Sequence, residues 1–468
     1  MGGSVVAGAS LLAPHARALG ANNDIRMGFA GFRGRGKHLI NLFSEVEGVR
    51  VAALCDVDQK VLDERVEVLK GRGQRVTAYT DIRKLLDDNT IDAVVVATPN
   101  HWHSLMGIWA CQAGKDVYVE KPVSQNLWEG GQLVAAARKY NRIVASGTQN
   151  RSEVGLQQVM KYLHEGSLGK IRVVRGLCYN RRKSIGKVSG PQPIPDHIDY
   201  DLWSGPVPIQ PLLRKQVHYY WHWDYTYGNG DLGNQGIHEM DLCRWALGVN
   251  HLPRRVVSAG GRFGYVDDGN TANTQVTLLD YEPAPIIFEL RGLPTHAGAD
   301  KIDSFRGVRV GMVVECEQGY FAGGRGGGTV YDWDGNELQH FDDPGQSHQA
   351  NFIDAVRNRD RGRLHAEIED GHLSSALCHM ANTAYRVAQP SDPDQVGKNL
   401  QDQPFASDAF SRMVEHLGAN EVDLKKSGVA MSPQLEWNGQ KQQFEGADDA
   451  NQLLRRKGRP GFTVPQVV

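Results

Sequence analysis

Two side chains in this sequence are well suited to moving a proton: Lys121, set in Glu120-Lys121-Pro122, and His238, four residues beyond Asn234. A desolvated ammonium group holds its proton less tightly, so a lysine at a sheared-off strand end can act as acid or base toward a hydroxyl. A third feature is the turn Gly31-Phe32-Arg33-Gly34-Arg35-Gly36 between an apolar strand and a helix. Such a turn lets backbone approach a pyrophosphate while the helix N-terminus points at it. It departs from G-x-G-x-x-G at Arg33, so Gly34 or the guanidinium itself has to compensate. Asp56 ends the second strand 20 residues after Gly36, where a carboxylate receives ribose hydroxyls. Its charge would repel a 2′-phosphate, which favours NAD over NADP.

These groups need elements to hold them. Strands are predicted at residues 25–30, 50–55, 93–97, 116–120 and 143–146, with helices at 38–45, 59–71, 80–88, 101–113 and 128–140. Alternation at this spacing predicts right-handed βαβ units, hence an α/β Rossmann domain with a doubly wound parallel sheet over 24–147. Ala97-Thr98-Pro99-Asn100 ends one of these strands, so Thr98, Pro99, Asn100 and then His103 face the ligand crevice. Glu120, Lys121 and Gln149 close the strands that follow and join the cofactor contacts. His101 and His103 on one helical turn read as structural or cofactor-contacting groups, with no metal expected. From 148 to 395 the pattern turns β-rich, at 171–179, 256–263, 273–279, 286–291 and 308–316, around an irregular stretch from 181 to 232. That predicts an α+β domain with a large, mainly antiparallel open sheet, helices at 156–165, 348–358 and 371–387, and a polar extension over 396–468 packing on the domains.

Composition narrows the function classes. Fifty-two basic and 54 acidic residues give a net charge of −2 with no long basic run, so a nucleic-acid surface is not indicated. Six cysteines stand far apart with no C-x-x-C pair, excluding a common zinc spacing. No stretch of 18 apolar residues spans a membrane. Residues 1–23 are small and apolar with Ala16-Arg17-Ala18 as a cleavage site, like the end of an export leader. A twin-arginine leader and a periplasmic location are expected, a cytoplasmic enzyme being the alternative.

The motifs G-x-x-G-x-G, Asp56, A-T-P-N-H-x-H, A-G-K-D-V-Y-V-E-K-P and G-T-Q-N-R resemble those of the Gfo/Idh/MocA oxidoreductases. The resemblance continues through Trp203-Ser204-Gly205-Pro206, Trp221-His222-Trp223, G-N-G-D-L-G-N-Q-G-I-H-E-M-D at 228–241 and the closing G-F-T-V-P. It implies NAD in the first domain and a sugar, sugar derivative or cyclitol against the second-domain sheet. It also implies that Lys121 lies beside the nicotinamide, with an Asp-x-x-x-His pair supplying acid or base. Here that pair is Asn234-x-x-x-His238, and four residues of helix are expected to bring both side chains onto one face. The carboxylate has become an amide that can bind substrate but not hold a proton. Lys121 and His238 are then the proton carriers. Tyr220, His222 and Trp223, in a dense aromatic run, are expected to form a sugar-binding wall with Asn234 and His238. A homodimer or homotetramer follows from the resemblance alone. Two alternatives stay open: an NAD-dependent glycoside hydrolase working by transient oxidation and elimination, and a non-catalytic sugar or dinucleotide sensor.

Overall fold

The computed structural model describes residues 24–345 and 347–467; the expected leader lies outside them. The first domain runs β1 (Ile25–Ala30), α1 (Arg35–Ser44), β2 (Val49–Cys55), α2 (Gln59–Gly71), β3 (Thr77–Tyr79), α3 (Ile82–Asp87), β4 (Ala93–Val96), α4 (Asn100–Gln112), β5 (Asp116–Val119), α5 (Leu127–Lys139) and β6 (Val144–Ser146). The strands pair in parallel in the order β3-β2-β1-β4-β5-β6. All four residues of β4 are buried because helices cover both faces of the sheet, which is why the strand reads as an unbroken apolar run. The chain winds away from β1 in both directions, toward β2 and toward β4. The crevice therefore opens at the carboxyl ends of β1 and β4, beside Gly31 and Thr98.

The second domain begins with α6 (Val154–His164), β7 (Ile171–Tyr179) and three short or medium helices, α7 (Tyr200–Ser204), α8 (Gly230–Asn234) and α9 (Gly236–Leu247). Strands β8 (Arg255–Gly261), β9 (Thr274–Asp280), β10 (Ile286–Arg291), β11 (Val310–Cys316), β12 (Gly319–Gly324), β13 (Gly327–Asp332) and β14 (Glu337–Asp342) follow. Next come α10 (His348–Asn358), α11 (Ile368–Val387), β15 (Gln389–Ser391), α12 (Pro393–Asn399), α13 (Pro404–Ala419), α14 (Leu424–Ser427), β16 (Val429–Met431), β17 (Leu435–Asn438), β18 (Gln443–Phe444) and α15 (Asp448–Leu453). The large sheet orders as β14-β13-β12-β11-β7-β10-β9-β8-β16-β15 and is antiparallel except where β10 meets β7. Helices α6, α9 and α11 pack one face. Two helices also clasp the Rossmann domain: Phe352 and Ile353 of α10 enter its core, and Ile368 of α11 enters the cluster on the opposite side.

Three features differ from the sequence expectation. The segment 319–342 forms three further strands, and its glycines and exposed polar positions hide the alternation. The tail is not merely polar: Ala406, Ala409, Phe410, Met413 and Leu417 form an apolar stripe on α13, which lies on the outer face of β9 and β10. β16 adds to the sheet edge beside β8. Finally, the segment carrying Asn234 and His238 is not one continuous helix, because Gln235 separates α8 from α9. Among the described residues no helix is long and apolar enough to cross a membrane.

Candidate active site

A cleft of about 310 Å³ lies between the domains. Gly31, Phe32, Arg33, Gly34, Asp56, Thr98, Pro99, Asn100, His103, Glu120 and Lys121 line it from the first domain. Tyr219, Trp221, His222 and Asn234 close it from the second. Gly31 has φ 75°, and a β-carbon there would stand 2.8 Å from Thr98 Cα. Gly36 does not line the cleft; its missing β-carbon makes room for the Gly31 carbonyl within the turn. At Gly34 a β-carbon would meet nothing within 4 Å, and no side chain caps the start of α1. The uncapped start of α1, at Gly34 and Arg35, therefore lies on the cleft wall, where a pyrophosphate meets a helix N-terminus. Gly31→Ala is expected to destabilise the protein by about 1–3 kcal/mol, since alanine must adopt a left-handed backbone against Thr98; chemical denaturation reads this as a lower midpoint.

Asp56 is set for ribose by its backbone contacts. Its Oδ2 accepts the Phe32 N–H at 3.1 Å and its Oδ1 the Asp58 N–H at 3.0 Å, which aims the carboxylate along the floor of the cleft. Burial pushes its pKa up to about 6, against the opposing pull of those N–H groups. The ionised form is the better acceptor for two ribose hydroxyls, so NAD affinity should be full above this value. It should weaken as pH falls through it, by up to about tenfold per pH unit in the acid limb. Calorimetric titration with NAD across that range checks this; a flat profile would exclude Asp56 as the ionised ribose acceptor. Buried Thr98 Oγ1, Asn100 Oδ1 and Gln149 Oε1 have no partner among the described residues, although Gln149 is outside the cleft lining. Turn, carboxylate and unpaired acceptors together fit a dinucleotide.

The proton-handling end is built around Glu120 and Lys121. Arg35 Nε donates to Glu120 Oε1 at 2.8 Å, and Glu120 Oε2 accepts the Lys121 N–H at 3.2 Å. Gly147 leaves space for this carboxylate, since a β-carbon would come within 2.8 Å of its Cδ. Arg35 thereby braces the lysine loop. His103 is a second brace: its Nδ1 lies 2.6 Å from the Pro122 carbonyl and its Nε2 2.7 Å from the Thr98 carbonyl, tying the ends of β4 and β5 together. Lys121 Nζ donates to the backbone carbonyl of Asn234 at 2.6 Å, so the lysine bridges the two domains. Burial lowers its pKa, and the positive Arg35 adds to that shift.

His238 is buried behind this contact and absent from the cleft lining. It does not pair with Asp241, which instead binds Arg151 at 2.9 Å and accepts from Ser374 at 2.6 Å. His238 Nδ1 has no partner among the described residues. Burial, with Lys121 and Arg35 nearby, holds this imidazole neutral by pushing its pKa well down. Glu239 carries no signal of its own in the sequence, where it is one acidic residue in a helical first turn. It is buried, accepts from Gln235 Nε2 at 3.0 Å, and burial pushes its pKa to about 8. No pattern of residue types announces a carboxyl held neutral in this way.

The aromatic run divides. His222 stacks on Trp221 with centroids 3.7 Å apart, and both line the cleft together with Tyr219. Tyr220 and Trp223 do not. Trp223 is turned inward, donating to Asp231 at 3.4 Å under the Arg182 guanidinium. The 3₁₀ turn at Tyr220–Trp223 sets this division, because it replaces strand alternation with a three-residue repeat. Among the described residues no group of three or more His, Cys, Asp or Glu is placed to hold a metal ion.

A doubly wound dinucleotide domain is joined here to an open-sheet domain, with a lysine at their junction. The chain belongs to the Gfo/Idh/MocA family: the oxidoreductase-family NAD-binding Rossmann fold matches residues 25–148 and its C-terminal alpha/beta domain residues 153–264, together about half of the chain. Among curated relatives, a glycosyl hydrolase family 109 protein 1 from Shewanella sp. (strain ANA-3) is 31% identical over 155 residues, covering 31% of this chain and 33% of that one. An alpha-N-acetylgalactosaminidase from Shewanella oneidensis is 30% identical over 155 residues, covering 31% and 33%. The chain thus spans about a third of the length of the curated relatives it matches. Among solved structures, the WlbA dehydrogenase from Bordetella pertussis in complex with NADH and UDP-GlcNAcA superposes with a TM-score of 0.54 at 20% identity, over 76% of this chain and 94% of that one. An oxidoreductase domain protein from Kribbella flavida does so at 0.56 and 18%, over 77% and 96%. These likenesses describe the fold.

Proposed function

We propose that this protein is an NAD-dependent oxidoreductase acting on a secondary hydroxyl of a sugar, sugar derivative or cyclitol. The observation that carries the reading is Lys121, its Nζ at the domain junction, depressed in pKa by burial and held by the Asn234 carbonyl. When bound, NAD supplies a hydride acceptor. Lys121 takes the proton of the reacting hydroxyl as the carbon is oxidised and returns it in reduction. His238 lies behind Lys121 and outside the cleft lining, so Lys121 alone carries the proton, and the Asn234 amide orients the substrate. Trp221 and His222 present ring faces to the C–H side of a sugar. The test is nicotinamide reduction by purified protein with a panel of cyclitols, aldoses and sugar acids; no reduction with any of them counts against the reading.

A second reading, an NAD-dependent glycoside hydrolase, is favoured by one observation: the curated relatives reported above carry glycosidase names. Release of sugar from aryl glycosides without net NADH would distinguish it. Export to the periplasm belongs to the proposal and rests on the apolar segment before Asp24. Assembly as a homodimer or homotetramer is likewise proposed. Because α13 covers the outer face at β9 and β10, and Val313 is buried in a cluster with Phe305 and Val308, the apolar surface left for pairing is that around Tyr320 and Trp333. Light scattering of the purified chain measures the assembly.

A further inference from the structure

His222 is held in the cleft wall more firmly than a stacking ring requires. Its imidazole lies on Trp221 with planes 20° apart, and the Tyr219 ring meets it edge-on with centroids 5.0 Å apart. Its Nδ1 stands 2.5 Å from the Tyr219 carbonyl. A carbonyl only accepts, so Nδ1 carries the proton and Nε2 keeps a lone pair. That Nε2 has no hydrogen-bond partner among the described residues, and His222 lines the cleft. The ring edge at Nε2 therefore adds a polar contact to the ring face.

The backbone is strained to bring the Tyr219 carbonyl round. Tyr219 has φ 63° and ψ −47°, and across it the Tyr220 N–H donates to the His218 carbonyl at 2.7 Å, a γ-turn of the rare, strained hand. On one side of this turn His218 Nε2 is tied to Asp58 Oδ2 at 2.7 Å, and on the other the 3₁₀ turn Tyr220–Trp223 begins. Strain of this kind persists only where surrounding contacts over-determine it, and it collects at ligand sites. Desolvation pushes the His222 pKa down to about 3, against the pull of the Tyr219 carbonyl, and the positive Lys121 and Arg182 lower it further. The imidazole is thus a neutral, fixed acceptor rather than a base.

We infer that His222 Nε2 receives a hydroxyl of the substrate other than the one whose proton Lys121 takes. The substrate is then a polyol that presents two hydroxyls, one to each domain, and a simple monoalcohol fills only half the site. Which hydroxyl reacts rests on the function proposed above; the contact at His222 is made on binding and does not need the reaction. An analogue lacking that hydroxyl would leave a desolvated lone pair unpaired, which is how a polar site rejects it.

Calorimetry on the NAD-saturated full chain tests this, with methyl hexopyranosides, inositols and their singly deoxygenated derivatives as probes. For a probe that binds wild type, one deoxygenation should weaken binding by about 10- to 100-fold. In His222→Phe, which keeps a ring on Trp221, the penalty at that position should shrink to less than about twofold while penalties at other positions persist. His222→Gln, whose amide oxygen can take the place of Nε2, should restore part of the discrimination, and neither variant should change NAD affinity by more than about twofold. The wild-type series is decisive without any variant: if no probe binds, or no deoxygenation costs more than about twofold, the inference is overturned. It is equally overturned if His222→Phe keeps the full penalty at every position, or if it weakens NAD by about tenfold, which would assign the ring to the cofactor. The expected binding pattern with no reduction of nicotinamide would instead strike at the proposed reaction and leave the contact standing.

Discussion

Lys121→Met should lower turnover by about 10²- to 10⁴-fold, the range associated with losing a positioned general acid or base, while leaving NAD affinity within a few-fold of wild type. The separation of the two effects follows from the geometry. Lys121 Nζ contacts the Asn234 carbonyl across the domain junction, whereas the ribose and pyrophosphate contacts arise from Asp56 and the Gly31 turn. Methionine keeps the length and apolar body of the side chain but has no proton to exchange. Steady-state kinetics with any secondary alcohol that wild type oxidises measures the first effect, and fluorescence titration with NADH measures the second. A variant that retained wild-type turnover would remove Lys121 from the chemistry. One that lost both turnover and cofactor would make it a structural link between the domains.

Asp56→Ala carries the second large effect, a fall in NAD affinity of about a hundredfold. A hydrogen bond to a charged group contributes a net of about 1.5–3 kcal/mol, so loss of the ribose hydroxyl contacts accounts for at least this fall, and alanine can accept neither. The substitution also frees the Phe32 and Asp58 N–H groups that the carboxylate holds. Loosening of the glycine turn therefore adds to the loss. Asp56→Asn separates these contributions because the amide oxygen can still accept one backbone N–H. Its affinity should fall between the two, and it should lack the acid limb described above.

The Rossmann half was legible because its strands are buried on both faces and its helices are amphipathic, so period and length agree. Only β3 escaped, being three residues with two of them exposed. Strands β12 to β14 were hidden for a related reason: glycines interrupt β12 and β13, and the edge strand β14 is exposed at five of its six positions. The α13 stripe was present in the sequence at helical spacing but lay in a segment whose average is polar. In the site, Asp56, Lys121 and Thr98 were readable because their places follow from local strand ends. The Arg35 to Glu120 pair and the Arg151 to Asp241 pair were not, since each joins residues more than 80 apart and neither has a local signature. The break at Gln235 was equally invisible. It uncouples Asn234 from His238 and puts the Asn234 carbonyl, a group every residue has, in contact with the lysine.

The central claim is that bound nicotinamide is reduced by a secondary alcohol with Lys121 moving the proton. Mixing NAD-saturated protein with a panel of cyclitols and sugars, and following nicotinamide absorbance within a single turnover, tests it for both net oxidation and a closed redox cycle. The expected result is reduction by wild type with at least one of these alcohols, slowed about 10²-fold or more in NAD-saturated Lys121→Met. Nicotinamide that stays oxidised with every alcohol in wild type, or is reduced equally fast in the variant, would contradict it.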